Sequence, residues 1–138
     1  MIAQAIRTYL LTKTTVTDEV STRIRPDALA QNETMPALVI QETASDHEEQ
    51  LSGAGGISQS SVTIACYADT RIKADEVAEV IRQVLHGYTG SAGSQTIQAS
   101  QLEDRAVGYL VPNDGSDDGL YVNSLDFRIT FTESIPTF

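Results

Sequence analysis

A single cysteine and nine basic residues set the first limits on this chain of 138 residues. The lone thiol, Cys66, excludes an internal disulfide framework and any Cys-x-x-Cys redox or zinc motif. Lys and Arg number 9 against 19 Asp and Glu, a formal net charge of -10. Such a balance repels phosphate and argues against electrostatic or sequence-specific binding of DNA. No uninterrupted apolar run approaches the roughly 20 residues of a membrane span, so no membrane partner is expected. The opening Met1-Ile2-Ala3-Gln4-Ala5 has neither the basic start nor the long apolar core of a signal peptide. A soluble, acidic, intracellular domain is the expectation. With 41% hydrophobic positions, the chain is long enough for one domain over residues 1–138 and short for two. At that size about two-thirds of the extended-chain surface can be buried without a disulfide or metal staple.

Periodicity outlines the elements. Ile2, Ala5, Ile6, Tyr9 and Leu10 share one side at helical spacing, with Arg7 and Lys13 towards the end where a helix dipole favours cations. Residues 20–25, VSTRIR, alternate as a strand until Pro26 breaks them, and Ala37-Leu38-Val39-Ile40 reads as a second strand. Both are expected to be short. Residues 45–56, SDHEEQLSGAGG, read as a polar, glycine-rich connection of a length that compact domains reserve for function or disorder. Val62, Ile64 and Cys66 then point one way from a strand over 61–67. Asp69 or Thr70 can cap a helix on which Ala74, Val77, Ala78, Ile81, Val84 and Leu85 form one stripe, and Gly87 supplies its stop. Residues 96–102 make a weakly patterned strand, and a second polar connection covers 112–119. Leu125, Phe127, Ile129 and Phe131 alternate with Asp126, Arg128 and Thr130 in a half-buried strand. The order fits an α+β fold, a mostly antiparallel sheet with two main helices on one face. The last strand and the helix over 72–85 are expected to form its core.

The residues that carry chemistry do not converge. Asp114-Gly115-Ser116-Asp117-Asp118-Gly119 opens like a calcium loop, but Leu125 stands where the bidentate acid belongs, which leaves a solvated turn. Asp46-His47-Glu48-Glu49 has no second histidine at ligand spacing; His86 lies at the end of a helix. Cys66, on the apolar side of a strand, reads as a small buried hydrophobe. Gly53-Ala54-Gly55-Gly56 lacks the Lys-Ser/Thr of a phosphate-gripping loop. Asn32-Glu33-Thr34 fits a glycosylation acceptor by chance. No active site, cofactor or metal is predicted. The charge layout says more: no Lys or Arg lies between Pro26 and Thr70, where Asp27, Glu33, Glu42, Asp46, Glu48, Glu49 and Asp69 all fall. Its simplest meaning is a solubilising surface. Its sharper meaning is a surface that avoids a polyanion or meets a basic partner.

One ordered set of motifs is recognisable. Arg25-Pro26-Asp27 precedes Met35-Pro36-Ala37-Leu38-Val39-Ile40; then come Val62-Thr63-Ile64-Ala65-Cys66-Tyr67-Ala68-Asp69-Thr70 and Ala74-Asp75-Glu76-Val77-Ala78-Glu79-Val80-Ile81; Gly119-Leu120-Tyr121-Val122-Asn123-Ser124-Leu125-Asp126-Phe127-Arg128-Ile129 closes the series. Taken together over nearly the whole chain, the set resembles the tail-completion or tail-terminator proteins of long-tailed bacteriophages. The resemblance implies an α+β subunit that assembles with copies of itself into a ring, typically a hexamer, at the head-proximal end of the tail tube. It implies as partners the tail tube protein and the head–tail connector protein, with double-stranded DNA passing through without specific binding. It places the protein in the virion, and in the host cytoplasm during assembly. It brings no catalytic residues and no cofactor. Asp46, His47, Glu48 and Glu49 in the first connection, with Asp114, Asp117 and Asp118 in the second, are the candidates for interaction or channel lining. The long acidic connection over 45–56 departs from the family pattern, so its contacts do not carry over. A neck or head-closure connector protein, and a small α+β ligand-binding regulatory domain, are the alternatives. An enzyme would need a convergent polar constellation that is missing here.

Overall fold

In the computed structural model, residues 2–27, 34–48, 57–93, 95–110 and 119–132 are described; for 44–48 and 57–58 the description covers the backbone alone. The chain begins with α1 (Ile2–Leu11), whose apolar stripe Ile2, Ala5, Ile6, Tyr9 and Leu10 is buried as its spacing predicts. Arg7 does not serve the helix dipole. Its Nε donates to the Ile24 carbonyl at 2.8 Å and ties α1 to the sheet, while Lys13 lies beyond the helix end with its ammonium 5.2 Å from the centre of the Tyr9 ring.

A second helix, α2 (Thr14–Val20), occupies residues that sequence reading left without an element. Val16 and Val20, four apart, point together into the core, so the alternation read over 20–25 begins with a helical residue. Ser21 turns the chain at φ 54°, and only Ile24–Pro26 form a strand, β1. The remaining elements are β2 (Ala37–Glu48), β3 (Ile57–Ala68), α3 (Arg71–Leu85), β4 (Gly90–Ala92), β5 (Gln95–Leu110) and β6 (Leu120–Thr132).

Thr70 caps α3, its hydroxyl accepting from the Lys73 N–H at 3.2 Å, and Gly87 follows the helix at φ +77°, a backbone state that costs glycine little. The stripe Ala74, Val77, Ala78, Ile81 and Leu85 is buried, but Ile72 is 73% exposed and takes no part in the core.

The six strands form one sheet in the order β1-β2-β3-β6-β5-β4. The β1–β2 pair is parallel and the other four are antiparallel, so the sheet is mixed within the expected α+β class. Leu38, Ile40, Val62, Ile64, Cys66, Leu125, Phe127, Ile129 and Phe131 turn one face to the three helices in a continuous core. The other face is small and polar at its centre: Thr63 pairs with Asp126 in register, and the Thr63 hydroxyl donates to the Asp126 carboxylate at 2.7 Å.

Of the two strands expected to be short, β1 is short, with three residues, and β2 is long. β2 and β3 have 12 residues each and β5 has 16. Residues 45–48, read as a connection, are the end of β2, where Ser45, Asp46, His47 and Glu48 lie opposite Ser60, Gln59, Ser58 and Ile57. Backbone pairing holds these polar stretches in the sheet, and hydrophobic alternation does not register it.

Candidate assembly surfaces

Cys66 and His86 are used structurally. Burial in the core pushes the Cys66 thiol well above its ordinary range, which disables it as a nucleophile at neutral pH. His86 Nδ1 accepts the Leu102 N–H at 3.0 Å and so caps a strand edge. Among the described residues no cluster of His, Cys, Asp and Glu could hold a metal ion. Among the described residues, too, no helix is long and apolar enough to cross a membrane.

Charged side chains pair along α3. Lys73 bridges to Glu19 of α2 and lies 3.6 Å from Glu76; the hydrogen bond to Glu19 raises the Lys73 pKa. Glu79 is held by Arg82, which lowers its pKa, and lies 3.6 Å from Arg105 of β5. Such exposed pairs are screened by solvent, and their effect is to orient elements more than to stabilise them.

The beginning of α3 meets the far end of the β5–β6 pair through Arg71. Its guanidinium donates to the Gly108 carbonyl at 2.6 Å and the Val122 carbonyl at 3.1 Å, lies 3.6 Å from Asp75, and sits over the Tyr121 ring at 5.3 Å. Tyr121 in turn packs against Tyr109, directly opposite in register, with ring centres 4.9 Å apart. Gly119 lies under the Tyr109 ring: a Cβ there would meet the Tyr109 hydroxyl, and the ring would have to move aside. Asn123 supports the same end, donating to Asp75 at 2.9 Å. Around it the surface is apolar, with Val107 64% exposed, and Tyr109 and Leu110 each 47% exposed. Isolated exposed apolar residues are ordinary; here Val107 and Tyr109 share one face of β5 and Leu110 lies on the other, so the strand end is apolar on both faces.

The predicted acidic candidates divide. Asp46, His47 and Glu48 belong to β2, paired with Gln59, Ser58 and Ile57 of β3. Glu49, Asp114, Asp117 and Asp118 lie outside the described residues, as do Asn32-Glu33 and Gly53-Ala54-Gly55-Gly56. The apolar end of β5 was missed by sequence reading. Val107, Tyr109 and Leu110 were available as a signal, but residues 103–106 interrupt the pattern with Glu-Asp-Arg-Ala.

The model of the tail completion protein gp17 family matches residues 4–132, almost the whole of the chain. The chain belongs to that family. It is a phage tail structural protein, part of the phage particle. Among solved structures, a chain of the virion of a native gene transfer agent particle has the same fold, with a TM-score of 0.64 at 14% identity over 94% of this chain and 95% of that chain. No curated protein matches.

Proposed function

We propose that this tail completion protein forms a ring, with six copies as the family resemblance implies, that caps the head-proximal end of the tail tube and joins it to the head. The observation that carries the reading is the family match over residues 4–132. The fold agrees with it: the surface features are an apolar strand end and a polar sheet face, both suited to contacts between subunits. In this role the partners are other copies of the chain, the tube protein and the connector protein. Loss of the protein is expected to give full heads without tails and tubes of uncontrolled length in electron micrographs. Normal joined particles would overturn the proposal. Tubes of normal length beside unattached heads would instead identify a head-closure protein.

A ring at this place must pass DNA without holding it. We propose that Asp46, His47, Glu48 and Glu49, with Asp114, Asp117 and Asp118, lie near the channel or at contacts beside it, where carboxylates repel phosphate. The support is the acidic stretch between Arg25 and Arg71, which holds no Lys or Arg. Asp46→Lys, Glu48→Lys and Glu49→Lys combined are expected to slow or trap DNA during ejection from particles that still assemble. Unchanged ejection from particles verified to carry the variant would remove this segment from the DNA path.

A further inference from the structure

We infer that the ring is built by continuing the sheet: residues 103–110 of β5 pair antiparallel with residues 42–48 of β2 in a second copy of the chain. The inference rests on the ring reading above and specifies its subunit contact.

The argument starts from the two borders of the sheet. On one side β1 covers β2 only at Leu38–Ile40, extended by the Asp27 N–H on the Ile40 carbonyl at 3.0 Å and the Gln41 side-chain amide on the Asp27 carbonyl at 3.1 Å. Beyond that, no described residue pairs with the outer edge of β2 through Glu48. On the other side β4 covers β5 only at Gln95–Ile97. The Gly87 N–H then reaches the Ser100 carbonyl at 2.7 Å, and His86 Nδ1 takes the Leu102 N–H. After the register shift between Leu102 and Asp104, the Arg105 N–H is taken by the neighbouring Asp104 carboxylate at 2.8 Å, and no described strand pairs with the outer edge. Among the described residues both borders are thus guarded for part of their length and open for the rest, and the open stretches are of similar length. An open edge is a row of unpaired N–H and C=O groups whose natural partner is another strand.

Direction, offset and composition point to the same occupant. Successive antiparallel pairing across β2-β3-β6-β5 makes β2 and β5 run in opposite directions. Rotation about an axis along the sheet preserves that relation, so β5 of one copy meets β2 of the next antiparallel. Two different edges make a head-to-tail contact, the kind that closes rings. The open stretches are also staggered. Ala106 lies level, through Ser124 and Ala65, with Val39, whereas the middle of the open β2 edge is Ser45, a displacement of about five residues once the bulge residue after Glu42 is set aside. Closing a barrel with strands tilted 35–45° requires about one residue of stagger per strand, or about four to five over four strands. Finally, three of the four large apolar side chains that are exposed among the described residues, Val107, Tyr109 and Leu110, stand on the open part of β5. The open part of β2 has none, so pairing β2 with β2 would leave them uncovered.

The test uses the full chain carrying Thr43→Cys and Val107→Cys, treated with a short bismaleimide that tolerates a small register slip. Cys66 is buried and stays silent in the native protein. The expected result is a ladder of covalent oligomers ending at the ring number, with each single substitution remaining monomeric. A ring seen by native mass spectrometry without the ladder would overturn the edge pairing and leave the ring standing. Monomers at every concentration would overturn both. Dimers from Val107→Cys alone would show a symmetric β5–β5 contact instead. As a second arm, Val107→Pro withdraws a backbone donor from the outer edge: Ser100 and Leu102 face outward, and the one-residue bulge shifts that parity to Arg105, Val107 and Tyr109. It is expected to abolish the oligomer while far-UV circular dichroism is kept; a folded, fully oligomeric variant would refute the pairing. If Val107→Pro does not fold, Val107→Lys makes the same test through an edge charge.

Discussion

Phe127 shows how much a single position of this fold can carry. It lies on β6 between Val62 of β3 and Leu102 of β5 in register, and its ring is fully buried among the helices. Phe127→Ala removes the ring and leaves a cavity, so a loss of about 3–5 kcal/mol is expected in a denaturant titration. A loss under about 1 kcal/mol would mean that the site collapses around the gap or that the ring is not in the core. Tyr9 makes a different contribution. Its hydroxyl donates to the Val84 carbonyl at 2.6 Å and its ring stacks on Tyr88 with centres 4.0 Å apart, which joins α1 to α3. Burial, with Tyr88 beside it, pushes the phenol pKa from 10 up to about 12. The folded state therefore holds the proton more tightly than the unfolded one. This contribution is fully present below pH 10 and is lost as the pH rises through about 12. Tyr9→Phe is expected to cost about 0.5–1.5 kcal/mol at neutral pH by leaving the Val84 carbonyl without its donor. The same change should flatten the fall in stability between pH 10 and 12, and an unaltered alkaline profile would show that Tyr9 is not the titrating group.

At the scale of elements, α3 was legible almost residue by residue. Its stripe of apolar positions, its Thr70 cap and its Gly87 stop are local signals, and local physics decides them. Thr70→Ala removes the cap acceptor for the Lys73 N–H and is expected to lower stability by about 0.5–2 kcal/mol, read as a drop in the thermal midpoint. No change would mean that water replaces the hydroxyl there. α2 was not legible. Seven residues with two valines carry too little periodicity to announce a helix, and Val20-Ser21-Thr22-Arg23-Ile24-Arg25 mimics a strand across the boundary. The strand ends failed for another reason. Ser58, Gln59 and Ser60 belong to β3 because β2 and β6 pair with them on both sides, and pairing acts on the backbone whatever the side chains are.

For the whole molecule, the register of β2 and β3 redefines the first connection. Glu48 lies opposite Ile57, so the two strands come into register on either side of residues 49–56. Replacing residues 49–56 with Asn-Gly, a turn that joins paired strands directly, is expected to keep the thermal midpoint within a few degrees while tail joining falls sharply. A variant that unfolds would assign the segment to the fold and not to assembly. Joining at the normal level would free the segment from both roles.

Sequence alone was sufficient for the class of fold, the two principal helices, and the apolar sides of β3 and β6. Each of these depends on spacing along the chain, or on which residue types are present at all. The ordered motifs also led to the family that the match over residues 4–132 establishes. Tertiary structure decided how far the strands run, that β1 joins the sheet in parallel, and which edges the described residues leave open. It also brought Arg71 under the β5–β6 end, where Val107, Tyr109 and Leu110 come to the surface. These features depend on which strand lies beside which. Strand neighbours are separated by tens of residues in the chain, and the backbone hydrogen bonds that join them leave no mark on side-chain composition.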